Sequence, residues 1–366
     1  MAPRKPIRID PRRRTVAVGG VETLGEALMA VPSLREIRRH HEGVRLLLVA
    51  PASIANLLRT LGETDDSVTW KTDALRRREI RGTFRLWKAV RRKRPGVFVG
   101  FRTDLQTRLT GLASGAKHRI GHVTGLWSPL LTRSVRLPEE LRRFHQVYLH
   151  LQLLHESGLS PVNYLKEPQF RPDLRVRLTE PLVQTAREAL AKLGVDPRNP
   201  LIGLFAGSAG SSAGRWLPER YAAVLRKLRH RIPFNVILFG ARGDRAIADL
   251  VIQECDGTNL FNACGTLGLV ETAALIATCR LFVGTDSGMM HLAAAFDVPQ
   301  VALFGPTDPV IGGPFSNRAV SLRKNICGPC FTTVCPIDRR CMKAVTMEEV
   351  VKRARELLQK EYSPDV

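Results

Sequence analysis

The chain has 366 residues, a length that favours two domains, and its composition of 44% hydrophobic and 25% charged residues is typical of a soluble globular protein. Lys and Arg number 56 against 34 acidic residues, so the formal net charge is +22. This charge favours an anionic partner such as nucleic acid, an acidic membrane surface or a phosphorylated substrate, with a solvated basic face as the alternative.

The apolar runs are far shorter than the ~20 residues that a membrane-spanning helix requires, which argues against a transmembrane protein. The first residues, MAPRKPIRIDPRRR, are basic, but the apolar stretch that follows them at 16–21 is short. We therefore expect no signal peptide and a cytoplasmic location.

In the first half of the chain, short apolar segments alternate with helix-like segments. The sequence predicts strands at residues 14–21, 44–49 and 97–101, with edge strands at 120–121 and 135–137. Helices are predicted at 24–39, at 53–61, in an Arg-rich segment ending at 94, and at 144–157. This alternation indicates an α/β domain with a parallel sheet.

A Pro-rich stretch at 161–181 predicts a linker, after which the alternation resumes. Strands are predicted at 201–206, 235–239, 259–262, 281–284 and 300–304, and helices at 218–230, 244–254, 269–278, 288–296 and 347–362. We expect an N-terminal domain at 1–175, a C-terminal domain at 182–346 and a terminal helix at 347–366. Open α/β sheets bind ligands at the carboxyl ends of their strands, so a cleft between two such domains would hold the site.

Polar residues follow two apolar strands within GTDSGMMHLAAAFDVPQVALFGPTDP, residues 284–309. Asp286 and Ser287 stand where a helix begins, and exposed amides of a first helical turn attract anions. Gly288 permits close approach of the backbone, and His291 lies one turn later. Helix capping alone explains Asp286 or Ser287, but not the second polar strand end, so we favour a diphosphate site.

Residues 207–214, GSAGSSAG, follow another predicted strand and are all small. Their backbone amides, Ser208 among them, can cradle phosphate, and Arg215 adds a cation. A flexible surface loop is the alternative. The segment lacks the Lys-Ser/Thr ending of a P-loop, and no G-x-G-x-x-G opens the first helix, which argues against an ATPase or a dehydrogenase.

Glu26 follows the first strand in the segment TLGE, residues 23–26. A carboxylate near a helix start commonly stabilises the helix dipole. The alternative interpretation is a general base at the strand edge that faces the ligand.

Four of the seven cysteines, Cys327, Cys330, Cys335 and Cys341, fall within fifteen residues. In a cytoplasmic protein such a cluster predicts a tetrahedral structural Zn²⁺ site before it predicts disulfides. Reduced thiols without metal are the alternative.

These features together resemble glycosyltransferase family 9, the ADP-heptose:lipopolysaccharide heptosyltransferases, over about residues 14–358. Residues 284–309 are similar to the family pattern D-[ST]-G-x-x-H-L-A-A…G-P-T-D-P. The resemblance extends to the segments GAKHRIG at 115–121, HQVY at 145–148, RWLPE at 215–219 and LFGA at 238–241, and to the cysteine pattern.

The resemblance implies a GT-B fold with two Rossmann-like domains, and an inverting sugar transfer that needs no catalytic metal. It implies that Asp286, Ser287, Gly288 and His291 bind an ADP-sugar and that Asp244 lies near its ribose. The N-terminal domain would bind a phosphorylated glycolipid acceptor of cell-envelope biosynthesis, at the cytoplasmic face of the inner membrane. Acid–base catalysis would fall to Glu26.

Two positions depart from the family pattern. The family usually has Asp where this chain has Glu26, one methylene longer, and often has Lys where this chain has Gly214. Alternatives are therefore a transferase for another nucleotide sugar or a catalytically silent glycan- or nucleotide-binding homologue. A Zn-bearing nucleic-acid binder is disfavoured, because aromatic residues make up only 6% and we expect no basic helix with interleaved aromatics.

Overall fold

The computed structural model describes residues 4–70, 80–123, 125–167, 169–208, 210–229, 233–255 and 259–362. The chain divides into two compact units, residues 1–173 and residues 174–366. Each unit contains a parallel β-sheet with helices along its connections, so the α/β prediction is confirmed.

The described part of the first unit contains strands that are short and, in β1, β2 and β4, almost wholly buried. The strands are β1 Thr15–Gly19, β2 Arg45–Pro51, β3 Asp66–Trp70, β4 Val97–Gly100, β5 His118–His122 and β6 Arg133–Val135. The helices are α1 Leu24–His40, α2 Ala52–Thr60, α3 Ile80–Arg92, α4 Leu105–Ala113 and α5 Gln146–Ser157, with 3₁₀ turns at Pro11–Arg13, Gly125–Leu130 and Glu139–Arg143.

The first sheet has the order β3-β2-β1-β4-β5-β6, and all its pairs are parallel. Ala17 of β1 pairs with Leu47 of β2 on one side and with Phe98 of β4 on the other. A Cβ at Gly19 or Gly111 would lie 2.7 or 2.8 Å from the Phe98 ring, so these glycines make room for that ring. Chain order reverses between β1 and β4, and ligands of such sheets bind beside this reversal.

The second unit repeats the pattern in its described residues. Its strands are β7 Leu201–Phe205, β8 Asn235–Leu238, β9 Leu260–Asn262, β10 Leu281–Thr285, β11 Gln300–Phe304 and β12 Ala319–Arg323. Its helices are α6 Glu180–Leu193, α7 Pro218–Arg229, α8 Arg245–Gln253, α9 Leu269–Ala277, α10 Gly288–Ala295, α11 Pro309–Gly312, α12 Arg340–Lys343 and α13 Met347–Tyr362, with 3₁₀ turns at Ser212–Gly214 and Arg242–Asp244.

The second sheet has the order β12-β11-β10-β7-β8-β9, again parallel throughout, so its reversal lies between β7 and β10. Its core includes the buried Trp216 and Tyr221 rings, which meet edge to face at 4.8 Å. Val350 and Ala354 place the terminal helix α13 against the same core. The terminal helix is therefore part of the packing of this unit.

The stretch 161–181 is attached to both units in its described residues. The hydroxyls of Ser160 and Tyr164 donate to the two carboxylate oxygens of the buried Glu36 in α1. Further along, the Val176 amide donates to the Ala295 carbonyl at 2.7 Å. The connecting segment therefore contacts each unit through its own end.

Strands β3 and β12 and helices α4, α6, α11 and α12 are absent from the sequence-based prediction. Strand β3 reads DSVTW and β12 reads AVSLR, so polar residues interrupt both apolar runs at the sheet edges.

The expectation of no basic helix with interleaved aromatics is wrong, because α3 reads IRGTFRLWKAVRR. No helix in the described part of the chain combines the length and the hydropathy needed to span a bilayer.

Candidate functional site

The small residues 207–214 and the pair Asp286–Ser287 follow β7 and β10, the two strands at which the order of the second sheet reverses. The structure joins the two segments directly, because the Thr285 hydroxyl donates to the Gly207 carbonyl at 2.7 Å. The two segments therefore form one surface at the carboxyl ends of adjacent strands.

Ser287 is the N-cap of α10, and its Oγ accepts from the Met290 amide at 3.3 Å. The amides of Gly288 and Met289 precede the first intrahelical hydrogen bond and so have no intrahelical partner. His291 is buried in the first turn, and its amide donates to the Ser287 carbonyl. This helix start can therefore offer amides to an anion.

The structure brings Asp286 next to the loop that follows β11. Burial raises the pKa of Asp286 above its ordinary value, and the neighbouring Thr307 hydroxyl offsets part of this rise. The Asp286 amide donates to the Leu303 carbonyl of β11 at 3.2 Å. The two polar strand ends that the sequence places far apart, at Asp286 and Thr307, thus lie together.

Asp244 lies against the first residue of the small-residue loop. Its Oδ2 accepts from the Ala241 amide at 3.0 Å, and a Cβ at Gly207 would come within 2.3 Å of its Oδ1. A Cβ at Gly240 would also meet Asp244, at 2.8 Å. Asp244 therefore packs closely against the backbone that follows β7 and β8.

Arg215 reaches back across its own loop, where Nε donates to Ser208 Oγ at 3.2 Å. Ser208 is buried, whereas Arg215 is half-buried. A Cβ at Gly214 would contact Pro306 and Ser208 at ordinary distances of 3.8 and 4.0 Å. The loop after β7 therefore adjoins the loop after β11, and Gly214 has space for a side chain. Ala209, within this loop, lies outside the described residues.

The cysteine segment connects these loops by backbone hydrogen bonds. The amides of Cys330 and Phe331 donate to the Pro306 carbonyl at 3.0 and 2.9 Å. The Thr333 carbonyl accepts from the Ala213 amide at 3.2 Å. The segment therefore holds the loop after β7 against the loop after β11.

The four thiols do not form the predicted zinc site. Cys341 is buried, and burial followed by the nearby Cys327 raises its pKa. Cys330 is exposed and faces Thr332, whose hydrogen bond lowers the Cys330 pKa. No group of three or more His, Cys, Asp or Glu side chains among the described residues could hold a metal ion, so structural zinc is not supported.

In the first unit, Glu26 occupies the third position of α1 and closes a capping box with Thr23. Its Oε2 accepts from the amides of Glu22 and Thr23, each at 2.9 Å, while the Thr23 hydroxyl accepts from the Glu26 amide at 3.3 Å. The Glu26 side chain remains 28% exposed. It therefore caps the helix and still faces solvent at the end of β1.

Arg102, which the sequence analysis does not single out, joins Glu26 from the end of β4. Its Nη1 lies 3.3 Å from Glu26 Oε1 and 3.5 Å from Glu22 Oε2, and its Nε lies 3.1 Å from Asp104 Oδ2. Burial by itself would lower the pKa of Arg102. The three carboxylates raise this pKa by more than burial lowers it, so the net change is upward. The signal available in sequence was its position just after the predicted strand 97–101.

Comparison with known proteins identifies the family of this chain. The profile of glycosyltransferase family 9 (heptosyltransferase) matches residues 83–340. Lipopolysaccharide heptosyltransferase 2 of Salmonella typhimurium is 26% identical over 314 residues, which cover 84% of this chain and 87% of that protein. Lipooligosaccharide heptosyltransferase 2 of Haemophilus ducreyi is 36% identical over 157 residues, 42% of this chain and 44% of that protein.

The fold agrees with this assignment. The solved structure of ADP-heptose LPS heptosyltransferase II from E. coli superposes with a TM-score of 0.80 and 23% identity, covering 95% of this chain and 99% of that one. The GT-B fold implied by the resemblance is therefore confirmed. The chain belongs to glycosyltransferase family 9, and it is a glycosyltransferase.

Proposed function

We propose that this enzyme transfers a heptose from ADP-heptose to a lipopolysaccharide core or related glycolipid acceptor. The observation that carries the proposal is the surface at the β7–β10 reversal, where two polar strand ends and a loop of small residues adjoin one helix start. Such a surface suits a diphosphate, and the family supplies the class of reaction.

The donor would lie on the second unit. Amides of Gly288 and Met289, the loop 207–214 and the Arg215 guanidinium would bind the diphosphate, with His291 close by in the first turn of α10. Asp244, through its contacts with Gly207 and Gly240, would shape the nucleotide end of this surface. Charge that develops on the leaving diphosphate would be stabilised by the same amides and cation.

Glu26 would act as the base in an inverting transfer. It would take the proton of an acceptor hydroxyl while that oxygen bonds to the anomeric carbon, and the bond from this carbon to ADP would break with its electron pair leaving on the diphosphate. A carboxylate has about four lone-pair positions, and Glu26 uses three in the contacts described above. One position would thus serve the acceptor.

Two observations favour a catalytically silent nucleotide-binding homologue instead. Glu26 is engaged as a helix cap and by Arg102, and the position of the usual family lysine is Gly214. The contacts of Glu26 bear on turnover, and the missing lysine leaves one cation fewer to hold the donor diphosphate. Use of another nucleotide sugar is a further alternative.

The net charge of +22 supports the proposed acceptor and location, because it suits a phosphorylated glycolipid and peripheral contact with an anionic inner-membrane surface from the cytoplasm. The family, and not the charge, is our reason for proposing no nucleic-acid partner. Heptosyltransferases of the family need no catalytic metal according to the resemblance, and we propose the same here.

The deciding experiment is turnover of ADP-heptose with a deacylated core oligosaccharide. We expect ADP release that depends on the acceptor, and a product whose anomeric configuration by NMR is opposite to that of the donor. Calorimetric titration with ADP, UDP and GDP tests the nucleotide. Tight ADP binding without product would contradict the transferase proposal and support the silent homologue.

A further inference from the structure

Helix α3 of the first unit, Ile80–Arg92, carries five cations and no acidic residue. Leu86 and Val90 are buried toward the sheet. Arg81, Arg85 and Lys88 are exposed and, at spacings of four and three residues, form a stripe along the opposite side. The helix therefore presents a continuous basic stripe to solvent.

An aromatic ring stands beside this stripe. Phe84 is 61% exposed, although its size favours burial. It meets the Trp87 ring edge to face at 5.4 Å, and Trp87 Nε1 donates to Thr110 Oγ1 of α4 at 3.3 Å. Phe84 thus packs on the Trp87 ring of its own helix, and Trp87 is in turn hydrogen-bonded to α4.

The neighbouring elements add further exposed apolar side chains. Leu105 and Leu112 of α4, seven residues apart and so on one side of that helix, are 37% and 44% exposed. Trp127, in the 3₁₀ turn Gly125–Leu130 that packs against α4, is 45% exposed. We call the side chains of Phe84, Leu105, Leu112 and Trp127, together with the stripe of Arg81, Arg85 and Lys88, the basic–apolar face.

We propose that the basic–apolar face docks the enzyme onto an anionic lipid surface, with Phe84 and Trp127 entering the headgroup region. Lys and Arg near such a surface each add attraction, and exposed aromatic and leucine side chains gain by leaving water. The charge of the stripe, the Phe84 ring beside it and the exposed leucine and tryptophan side chains of the adjoining elements are the features expected of a surface that binds an anionic bilayer. This docking rests on the proposed function, for which it names the face that meets the membrane. Binding of the protein to lipid vesicles can nevertheless be measured without any turnover.

The face also borders the candidate base within the same unit. Leu105 directly follows Asp104, the N-cap of α4, and Asp104 pairs with Arg102, which pairs with Glu26. A lipid-anchored acceptor held in the same bilayer would then present its sugar close to the membrane surface, on the unit that carries Glu26.

Flotation of the full chain with lipid vesicles tests the proposal. We expect the protein to float with vesicles of phosphatidylcholine containing about 30% phosphatidylglycerol, less as salt rises, and not with phosphatidylcholine alone. The triple variant Arg81→Glu, Arg85→Glu, Lys88→Glu should partition about a hundredfold less, since each cation contributes about fivefold. Phe84→Ser should lose about fivefold or more.

A matched control reverses three exposed cations of the second unit, Arg187→Glu, Lys227→Glu and Lys352→Glu, with the same change in net charge. This control should float almost as well as the natural protein. Trp127→Phe should remove most of the shift in tryptophan emission that anionic vesicles cause.

Turnover of the deacylated acceptor, which needs no membrane, separates this proposal from the proposed function. The triple variant should keep that activity, and an inactive enzyme that still floats through this face would contradict only the proposed function. Equal flotation by the triple variant, equal loss in the control, or binding to neutral vesicles alone would overturn the docking proposal. Capture by duplex DNA without flotation would assign the face to nucleic acid and would also overturn it.

Discussion

Arg102 Nη1 lies 3.3 Å from Glu26 Oε1, which links the end of β4 to the start of the helix after β1. These are the two strands at which the first sheet reverses its order. The guanidinium also contacts Asp104 at 3.1 Å, so the proposed base is fixed from outside its own helix. These contacts orient the Glu26 carboxylate, and a general base must lie within hydrogen-bond reach of the proton that it takes.

Replacing Glu26 by Gln separates capping from base catalysis. Gln also serves at this position of a capping box, so the melting temperature should stay within a few degrees. Transfer should fall by about 10² to 10⁴-fold in kcat, because the amide cannot take a proton. Single-turnover kinetics and calorimetry with ADP would show a lost chemical step with donor affinity unchanged.

The matched control is Glu22→Gln, which removes another carboxylate from Arg102 but leaves Glu26 in place. Glu26→Asp, the residue usual in the family, should keep measurable transfer. Full activity in Glu26→Gln would contradict the assignment of Glu26 as base.

A methyl group at Gly207 should damage the donor surface. The new Cβ would lie 2.3 Å from Asp244 Oδ1, so the loop after β7 or Asp244 must move. We expect Gly207→Ala to weaken ADP binding by about tenfold or more, equivalent to roughly 1.4 kcal/mol. Gly243→Ala is the control, because nothing lies within 4 Å of its added Cβ. Equal ADP affinities by calorimetry in the two variants would exclude this loop from the donor site.

Introducing the family lysine at Gly214 should strengthen donor binding. The nearest atoms to a Cβ there are 3.8 Å away, so the side chain can be accommodated, and it would add a cation beside Arg215. Gly214→Lys is expected to raise the affinity for ADP several-fold and that for adenosine hardly at all, because the gain is electrostatic. Gly214→Met, of similar length without charge, provides the comparison. A gain shared by Met and Lys would point to packing instead of phosphate contact.

Two buried histidines should make the first unit sensitive to acid. Burial, with a contribution from His122, lowers the pKa of His150 from 6.5 to about 3, and burial beside Arg108 lowers that of His122 to about 4. Below about pH 6.5 the unfolded chain takes up protons at these sites and the folded chain does not. The free energy of unfolding should therefore fall between pH 6.5 and 4, by about 1.4 kcal/mol per pH unit for each histidine.

His150→Gln should remove one of these two contributions, so its stability at low pH should fall less steeply than that of the natural protein. Unfolding in urea, monitored by hydrogen exchange of the amides in β4 and β5, would measure the unfolding free energy of the first unit separately. Parallel pH profiles for the variant and the natural protein would show that His150 does not titrate in this way.

Several features of the fold and the candidate site are readable in the sequence because they depend on neighbours along the chain. Continuous apolar runs such as those of β7 and β10 predict buried parallel strands. Ser287 predicts a helix start because its side chain caps an amide only three residues away. Strands β3 and β12 escape prediction because their polar residues lie at sheet edges, where the neighbouring strand supplies the missing stabilisation.

The site itself depends on contacts between distant residues. The local pattern of residues 284–309 is enough to indicate an anion-binding helix start and the family to which the chain belongs. Only the folded chain decides that Asp244 lies against Gly207, that Arg102 contacts Glu26, and that Cys330 turns to Thr332 while Cys341 is buried beside Cys327. Sequence spacing sets which residues can be neighbours within a turn or a helix, whereas packing of the sheet sets which strand ends meet.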